Sequence, residues 1–266
     1  MSVNTIKKGT LEYLVAEGIC VPHAFTTRLG GVSREHLSAL NLTLHRGDEV
    51  ENVEENYRLL TEALGVDKEK LVLTRQVHGD EILVVTEADC RGVDHDLYPQ
   101  CDGLITNTPG VSLVVFTADC TPILLHDPIT GAVGAAHAGW RGTALDIAGK
   151  TVAKMAAEFG CRPEHIRAAI GPNIGPCCFE TDADVPQAMM DTFGAEAEQW
   201  IRAANDKFYV NLKALNALAL RRAGVGHIEI SEDCTMCAPH RYWSHRYTRG
   251  LRGSQGALIC CKGGSL

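Results

Sequence analysis

Three residues that can bind a metal ion lie at the predicted ends of strands, far apart in the sequence. His78 follows "LVLTRQV", Cys120 ends "FTADC", and His137 ends "VGAAH" just before a turn. Two imidazoles and a thiolate are a donor set typical of a catalytic zinc site, because they leave one tetrahedral position open. Their spacing fixes no local geometry, and a residue of this kind, taken alone, is more often structural than a metal ligand.

Several neighbouring residues could support such a centre. Asp119 precedes Cys120 and is placed either to cap a turn or to orient a ligand and handle a proton. The segment "GAAHAGWRG" (134–142) surrounds His137 with small residues, which leaves room for a metal and a flat ligand. Arginines that follow strands or glycine turns are either solvated or act as clamps for a phosphate or sugar; they are Arg28, Arg75 and Arg141.

The cysteines suggest a second, weaker possibility. Cys234 and Cys237 form a CxxC motif, but a structural zinc site needs two more ligands. Adjacent residues on a strand point to opposite faces, so Cys260 and Cys261 cannot easily supply both. We therefore interpret the CxxC pair as reduced thiols. We also interpret the cysteines of "GPNIGPCCFE" (171–180) as packing thiols, with Cys178 near the candidate site.

Composition narrows the class of protein. The chain has 266 residues, 45% of them hydrophobic, and a formal net charge of −8. We expect one domain over residues 1–266, with a sizeable core and no nucleic-acid partner, because no long basic run is present. No apolar run is long enough to span a membrane and the N-terminal residues show no signal peptide. With an odd number of cysteines, 11, these features predict a cytoplasmic location with reduced thiols.

The pattern of apolar and turn residues predicts an α/β protein with a mixed sheet. Predicted strands cover 24–28, 70–77, 81–86, 103–106, 112–117, 122–127, 132–137, 166–170, 227–230 and 256–261. Predicted helices cover 51–64, 144–159, 184–193 and 211–223. The turn signal "DPITG" (127–131) predicts that the strands 122–127 and 132–137 form a hairpin.

The chain resembles the YfiH-like, laccase-domain family, whose members were first regarded as polyphenol oxidases and later as purine nucleoside enzymes. The resemblance runs nearly end to end and rests most strongly on "TADCTPILLHDP" (117–128) and "AAHAGWRGT" (135–143). Further matching segments are "FTTRLGGVS" (25–33), "LNLTLHRGD" (40–48), "TRQVHGD" (74–80), "CDGLIT" (101–106), "AAIGPNIGPCCFE" (168–180), "CTMC" (234–237) and "YWSHR" (242–246).

The resemblance implies a four-layer αββα sandwich with mixed sheets and one zinc ion bound by His78, Cys120 and His137. It implies phosphorolysis of adenosine, inosine, guanosine and S-methyl-5'-thioadenosine, and hydrolytic deamination of adenosine. Small purine nucleosides and phosphate would then be the partners of a monomer or weak homodimer. We expect Arg28 and Arg75 to bind the phosphate and Arg141 to contact the substrate.

Two other functions stay open at the level of sequence. A Cys/His₂ set can bind copper, which would suit a polyphenol oxidase, although the histidines include no His-x-His pair. The other function is that of a non-enzymatic, thiol-rich protein that binds metal or undergoes reversible thiol oxidation.

The chain also departs from many relatives near its C-terminus: Ser254 stands where we expect an arginine, and Arg252 could take that role.

Overall fold

The computed structural model describes residues 3–262. Its strands are β1 (Asn4–Lys8), β2 (Leu11–Val15), β3 (His23–Thr26), β4 (Leu71–Leu73), β5 (Ile82–Val84), β6 (Gly103–Thr106), β7 (Ser112–Thr117), β8 (Thr121–His126), β9 (Val133–Ala138), β10 (Arg167–Ile170), β11 (Glu180–Thr181), β12 (Ile201–Ala204), β13 (Lys207–Val210), β14 (His227–Ile230) and β15 (Gln255–Cys260). Its helices are α1 (Val50–Leu64), α2 (Trp140–Ala144), α3 (Ile147–Phe159), α4 (Asp184–Phe193), α5 (Leu212–Arg222) and α6 (His245–Thr248). Among residues 3–262, no helix has the length and apolar character needed to cross a bilayer.

Two six-stranded sheets pack face to face and carry helices on their outer sides. Sheet I has the order β1-β2-β3-β15-β7-β4, and sheet II the order β14-β10-β8-β9-β6-β5. Both are mixed, because the pairs β4–β7, β5–β6 and β10–β14 are parallel and the remaining pairs are antiparallel. Helix α1 packs on sheet I, and α3 and α5 pack on sheet II. The predicted α/β class and αββα layering are therefore confirmed.

The central hairpin shows how the sequence builds these layers. In β8, Leu124 packs into the core between the sheets, whereas Ile123 and Leu125 pack toward the helices. Side chains alternate between faces along a strand, so a strand covered on both sides needs an uninterrupted apolar run. The predicted hairpin is confirmed: β8 and β9 pair antiparallel, and Asp127 accepts the hydrogen bond from Gly131 N–H at 2.8 Å.

The predicted helix 144–159 is wrong at its start. Helix α2 ends at Ala144, and α3 begins only at Ile147. Between them Asp146 adopts a positive φ of 57°, and its side chain accepts a hydrogen bond from Gly149 N–H. Leu145, which the periodicity assigned to the apolar face, is 43% exposed. A local cap therefore starts a new helix where the apolar spacing alone predicts continuity.

Other differences concern short or polar strands. The predicted strand 70–77 is reduced to β4, because 74–80 forms the loop that carries His78. The prediction missed β1 and β2 as well as the small sheet β11-β13-β12. Strand β1 reads "NTIKK" and is exposed throughout, so it lacks the apolar alternation that identifies a strand.

Candidate metal centre and active site

The three predicted ligands meet where the chain passes between the two sheets. His78 lies in the loop between β4 and β5, Cys120 in the turn between β7 and β8, and His137 on β9. One donor atom from each lies within 4.8 Å of the other two. Nε2 of His78 is 3.9 Å from Sγ of Cys120, and the two imidazole centroids are 4.9 Å apart. The fold thus makes one site from residues whose spacing carries no local signal.

Gly139, one of the small residues around His137, lies where a larger residue would collide with the predicted ligands. A Cβ atom at this position would lie 3.0 Å from Cδ2 of His78, 3.2 Å from Sγ of Cys120 and 3.8 Å from Cε1 of His137. The first two distances are shorter than ordinary van der Waals contacts, so a side chain here would push the ligands apart. The glycine therefore leaves the space in which the three side chains converge.

Asp102 is a site residue that the sequence reasoning missed. Its buried carboxylate accepts hydrogen bonds from the backbone N–H groups of Val77, His78 and Gly79, at 2.9–3.0 Å. It also bonds Nδ1 of His137 at 2.8 Å. A carboxylate that fixes the second nitrogen of a histidine ligand is common around protein metal ions. The only sequence signal was an acidic residue beside a turn glycine in "CDGLIT", which is also typical of an ordinary turn.

Cys120 and His137 favour each other's charged forms. Burial opposes ionisation of the thiol, but the charge of His137 and hydrogen bonds from both imidazoles outweigh it and lower the pKa of Cys120 to about 6. Burial likewise opposes protonation of His137, but Cys120 and Asp102 raise the pKa of this imidazole to about 9. The site therefore favours the thiolate, which is the form of cysteine that binds metal ions.

Asp119 has a different environment from the one expected of a free acid or base. Its Oδ1 accepts a hydrogen bond from the Thr235 hydroxyl at 2.6 Å, and its Oδ2 accepts one from Arg246 N–H at 2.7 Å. Asp119 and His78 both have positive φ values, 90° and 62°. Such strained backbone persists only where surrounding contacts hold it, and it is concentrated at functional sites. The geometry fits an anchor for the turn that carries Cys120.

The three predicted arginines lie outside the cavities at the metal centre. The guanidinium of Arg28 donates to the carbonyl oxygens of Ser38 and Pro239 and stacks on Trp243, 3.7 Å from the ring centroid. Arg75 is half-buried, and its Nε has no hydrogen-bond partner among the residues that the structure describes. Arg141 is exposed and stacks on Trp140 at 4.2 Å. Strand ends and glycine turns are frequent, so position in the sequence could not select the right arginines.

Two other arginines, Arg46 and Arg252, line both cavities instead. A cavity of about 160 Å³ opens above the trio, and an adjoining one of about 290 Å³ shares His78, Cys120, Arg46 and Arg252 with it. Neither arginine forms a salt bridge within residues 3–262. Burial and the charge of Arg46 lower the pKa of Arg252 to about 10. Two cations that form no salt bridge within residues 3–262 and lie beside an open cavity are suited to binding an anion.

Ser254 holds one of these arginines in place. Nη1 of Arg252 donates to the Ser254 hydroxyl at 2.7 Å, and both residues line the smaller cavity. The buried Nε of Arg252 has no hydrogen-bond partner within residues 3–262. The serine at the position where an arginine was expected therefore positions a nearby arginine.

Comparison with known proteins agrees with this geometry. The chain matches the family described as "Multi-copper polyphenol oxidoreductase laccase" over residues 22–262. "Purine nucleoside phosphorylase YlmD" of Geobacillus stearothermophilus is 40% identical over 240 residues, 88% of each chain. "Purine nucleoside phosphorylase" of Deinococcus radiodurans is 38% identical over 249 residues, 94% of this chain and 92% of that one.

A solved structure, that of Bacillus licheniformis hypothetical protein YfiH, is 33% identical, with a TM-score of 0.92. The superposition covers 98% of this chain and 99% of the chain in that structure. This chain belongs to the laccase-domain family. The membership confirms the resemblance on which the expectations above depend.

The donor set of this laccase-domain protein fits a metal of borderline softness. Asp102 forms a hydrogen bond with Nδ1 of His137, so Nε2 is the ring nitrogen that faces Cys120 and His78. Two imidazoles and one thiolate suit zinc or copper, whereas magnesium and calcium prefer oxygen donors. The residues present therefore fit the kind of metal that the family description implies.

The laccase-domain fold also corrects the interpretation of the remaining cysteines. Cys177 and Cys178 meet the CxxC pair: Sγ of Cys237 lies 3.5 Å from Sγ of Cys177 and 3.4 Å from that of Cys178, and Cys178 also packs against the core beside sheet II. Cys177 and Cys237 are exposed. Cys260 and Cys261 lie at the end of β15, as expected away from the CxxC motif.

Proposed function

We propose that this protein is a zinc-dependent purine nucleoside enzyme. It would use phosphate to cleave adenosine, inosine, guanosine and S-methyl-5'-thioadenosine, and water to deaminate adenosine. The observation that carries the proposal is the meeting of His78, Cys120 and His137 beside a cavity that also contains Arg46 and Arg252. Relatives named purine nucleoside phosphorylases support the choice of substrate class.

The two arginines would bind phosphate. A guanidinium donates parallel hydrogen bonds to two oxygens of one anion, and each charge-assisted bond is stronger than a neutral one. Arg252 is already held by Ser254, so little conformational freedom is lost when the anion binds. A phosphate oxygen would then form a bond to C1′ of the sugar as the bond from C1′ to the purine nitrogen breaks. The products are the free purine and the sugar 1-phosphate, which is ribose 1-phosphate for adenosine, inosine and guanosine and 5-methylthioribose 1-phosphate for S-methyl-5'-thioadenosine.

The remaining residues orient the reacting groups. Phe116 and Phe179 line the two adjoining cavities, where an aromatic face can pack against a purine. Asp102 holds both His137 and the loop that carries His78. When bound, a zinc ion supplies a Lewis acid with an open coordination position. In deamination, water replaces the amino group of adenosine and ammonia leaves, which needs no phosphate.

A direct experiment measures both reactions. Protein with a known zinc content is incubated with adenosine, with and without phosphate, and the products are separated by chromatography. We expect adenine and ribose 1-phosphate only with phosphate. Inosine should accumulate without phosphate, whereas with phosphate part of it should be cleaved further to hypoxanthine and ribose 1-phosphate. His137→Ala should abolish product formation while the circular dichroism spectrum is kept. Normal turnover by metal-free His137→Ala protein contradicts the proposal.

Copper-dependent oxidation of phenols is the second candidate, because the family description names it. Multicopper oxidation needs several copper ions, usually with many histidines. Within residues 3–262 the histidine-containing groups close enough to hold a metal are the trio and a partly exposed set, His45 with Asp94 and Asp96. Metal analysis and a phenol oxidation assay separate the candidates: several coppers with phenol turnover favour the oxidase. A metal-free protein with reversible thiol oxidation favours a non-enzymatic thiol protein.

We also propose that residues 1–266 work as a single domain and as a monomer or weak homodimer. Light scattering across a concentration series tests the assembly state. A stable mass above that of a dimer contradicts it.

A further inference from the structure

We propose that Cys177, Cys178, Cys234 and Cys237 form a second metal site, which binds one zinc ion through four thiolates. The site shares no residue with the His78, Cys120 and His137 trio. Its role is structural: it joins two irregular loops that pack behind the candidate active site. This inference goes beyond the proposed function and does not depend on it.

The four sulfurs are arranged as a tetrahedral zinc site requires. All four Sγ atoms lie within 4.8 Å of one another, and the two contacts to Cys237 measure 3.4 and 3.5 Å. Zinc–sulfur bonds of about 2.3 Å in a tetrahedron place the sulfurs about 3.8 Å apart. All four cysteines are free thiols. Small shifts of the side chains would therefore bring every sulfur to bonding distance of one ion.

The surroundings do not suit ordinary packing thiols. Free cysteine usually behaves as a small buried hydrophobic residue, yet Cys177 and Cys237 are exposed. Gly175 N–H donates a hydrogen bond to Sγ of Cys234 at 3.1 Å, a contact that stabilises negative charge on sulfur. A Cβ on Gly175 would lie 3.2 Å from both Sγ of Cys177 and Cβ of Cys234. A glycine thus permits the thiols to converge, as Gly139 does at the trio.

The two loops have little regular structure of their own. The first leads from β10 to β11, and the second from β14 toward α6. They are joined by an isolated β-bridge between Asn173 and Cys234 and by the hydrogen bond from Gly175 N–H to Sγ of Cys234. From this bridge the contacts lead to the active site, because the Thr235 hydroxyl donates to Asp119, the neighbour of Cys120. A metal ion that cross-links the two loops would therefore stabilise the contacts that run from Cys234 through Thr235 to Asp119.

Solvent reaches the cluster from one side. Cys177 and Cys234 line a cavity of about 660 Å³. A metal ion can therefore reach the sulfurs in the folded protein, and such an entry path is a requirement for any metal site.

Metal counting on the full chain tests the proposal. Protein is produced with added zinc, passed over a weak chelating resin, and analysed for zinc and protein. We expect two zinc ions per wild-type chain, one in His137→Ala, one in the double variant Cys234→Ser with Cys237→Ser, and none when all three changes are combined. The control Cys20→Ser removes an exposed thiol outside the cluster and should keep two.

A second measurement does not require any cysteine variant to fold. The zinc held by His137→Ala protein is released with a mercurial reagent and followed with a chromophoric chelator. We also replace this zinc with cobalt, where sulfur-to-cobalt charge-transfer absorption grows with the number of thiolates. We expect one released zinc per chain, and an absorption about four times that of one thiolate.

Three results would overturn the inference. They are a zinc-free His137→Ala protein, a double cysteine variant that keeps two zinc ions, or disulfides among these four cysteines in protein kept under reducing conditions. Nucleoside turnover enters none of these measurements, so the failure of this site and the failure of the proposed enzyme activity are distinguishable.

Discussion

At the residue scale, Asp102 connects the backbone of the His78 loop to the imidazole of His137. One carboxylate accepts three backbone N–H groups and the His137 Nδ1 bond, so both histidines depend on it. It also supplies the negative charge that keeps the proton on Nδ1, so that Nε2 faces the other ligands.

Asp102→Asn should therefore weaken metal binding while the trio itself is unchanged. We expect the dissociation constant for zinc at the trio to rise about 10–100-fold, as for other residues that support metal-binding histidines. Competition with a chromophoric chelator measures it. Asp80→Asn is the matched control, because Asp80 lies nearby but pairs with Lys150 at the surface. Equal zinc affinity in wild type and Asp102→Asn would refute the role of this carboxylate.

Gly139→Ala tests whether open space at the trio matters. The added methyl would lie 3.0 Å from the His78 ring and 3.2 Å from the Cys120 sulfur. We expect loss of zinc on dialysis and a fall in kcat/KM of at least about tenfold, or about 1.4 kcal/mol. Stability should change little, because the φ of Gly139 is an ordinary −66°. The control is Gly226→Ala, where no described atom other than those of residues 225–227 lies within 4 Å of the new Cβ. A similar loss there would count against the explanation.

At the scale of elements, the segment before β15 and the loop before α1 supply the two cavity arginines. Arg252 precedes β15, and Arg46 precedes α1. Arg28 and Arg141 instead support packing through stacking on Trp243 and Trp140. Whether an arginine lines the cavities or supports packing therefore depends on which loops come together at the junction of the two sheets.

Arg252→Gln should raise the KM for phosphate about tenfold or more, because a hydrogen bond to a charged group contributes about 1.5–3 kcal/mol. The ratio of phosphorolysis to deamination should fall by a similar factor, since deamination uses no phosphate. Steady-state assays across phosphate concentrations measure both. Arg141→Gln, which changes an exposed arginine outside the cavities, is the comparison. A larger effect at Arg141 than at Arg252 would contradict the role proposed for Arg252.

The elements also show what the sequence could and could not predict. The strands 112–117 and 227–230 and the β8–β9 hairpin are apolar runs bounded by turn residues, and periodicity finds such features. The strands of the small sheet, β11, β12 and β13, are only two to four residues long, which is too short to show such a pattern. The trio and its αββα frame came from family motifs. Asp102, Arg46 and the four-cysteine cluster depend on contacts between distant segments, which no local pattern records.

At the scale of the whole molecule, the trio lies across the junction of the two sheets. The strands beside its residues, β4 and β7, belong to sheet I, whereas β8 and β9 belong to sheet II. A metal bound by all three side chains would cross-link the two layers. Because the ligands meet only in the folded chain, the metal binds the native state and stabilises it.

Zinc should therefore raise the stability of the wild type by more than that of His137→Ala. At free zinc one hundred times the dissociation constant of the trio, the difference between the two zinc-induced changes should be about 2.7 kcal/mol. Chemical unfolding of chelator-treated and zinc-loaded protein measures it in both chains. Subtracting the His137→Ala result removes any stabilisation from the four-cysteine cluster, which this change leaves intact. An identical zinc-induced increase in the two proteins would mean that the trio does not link the sheets through a metal.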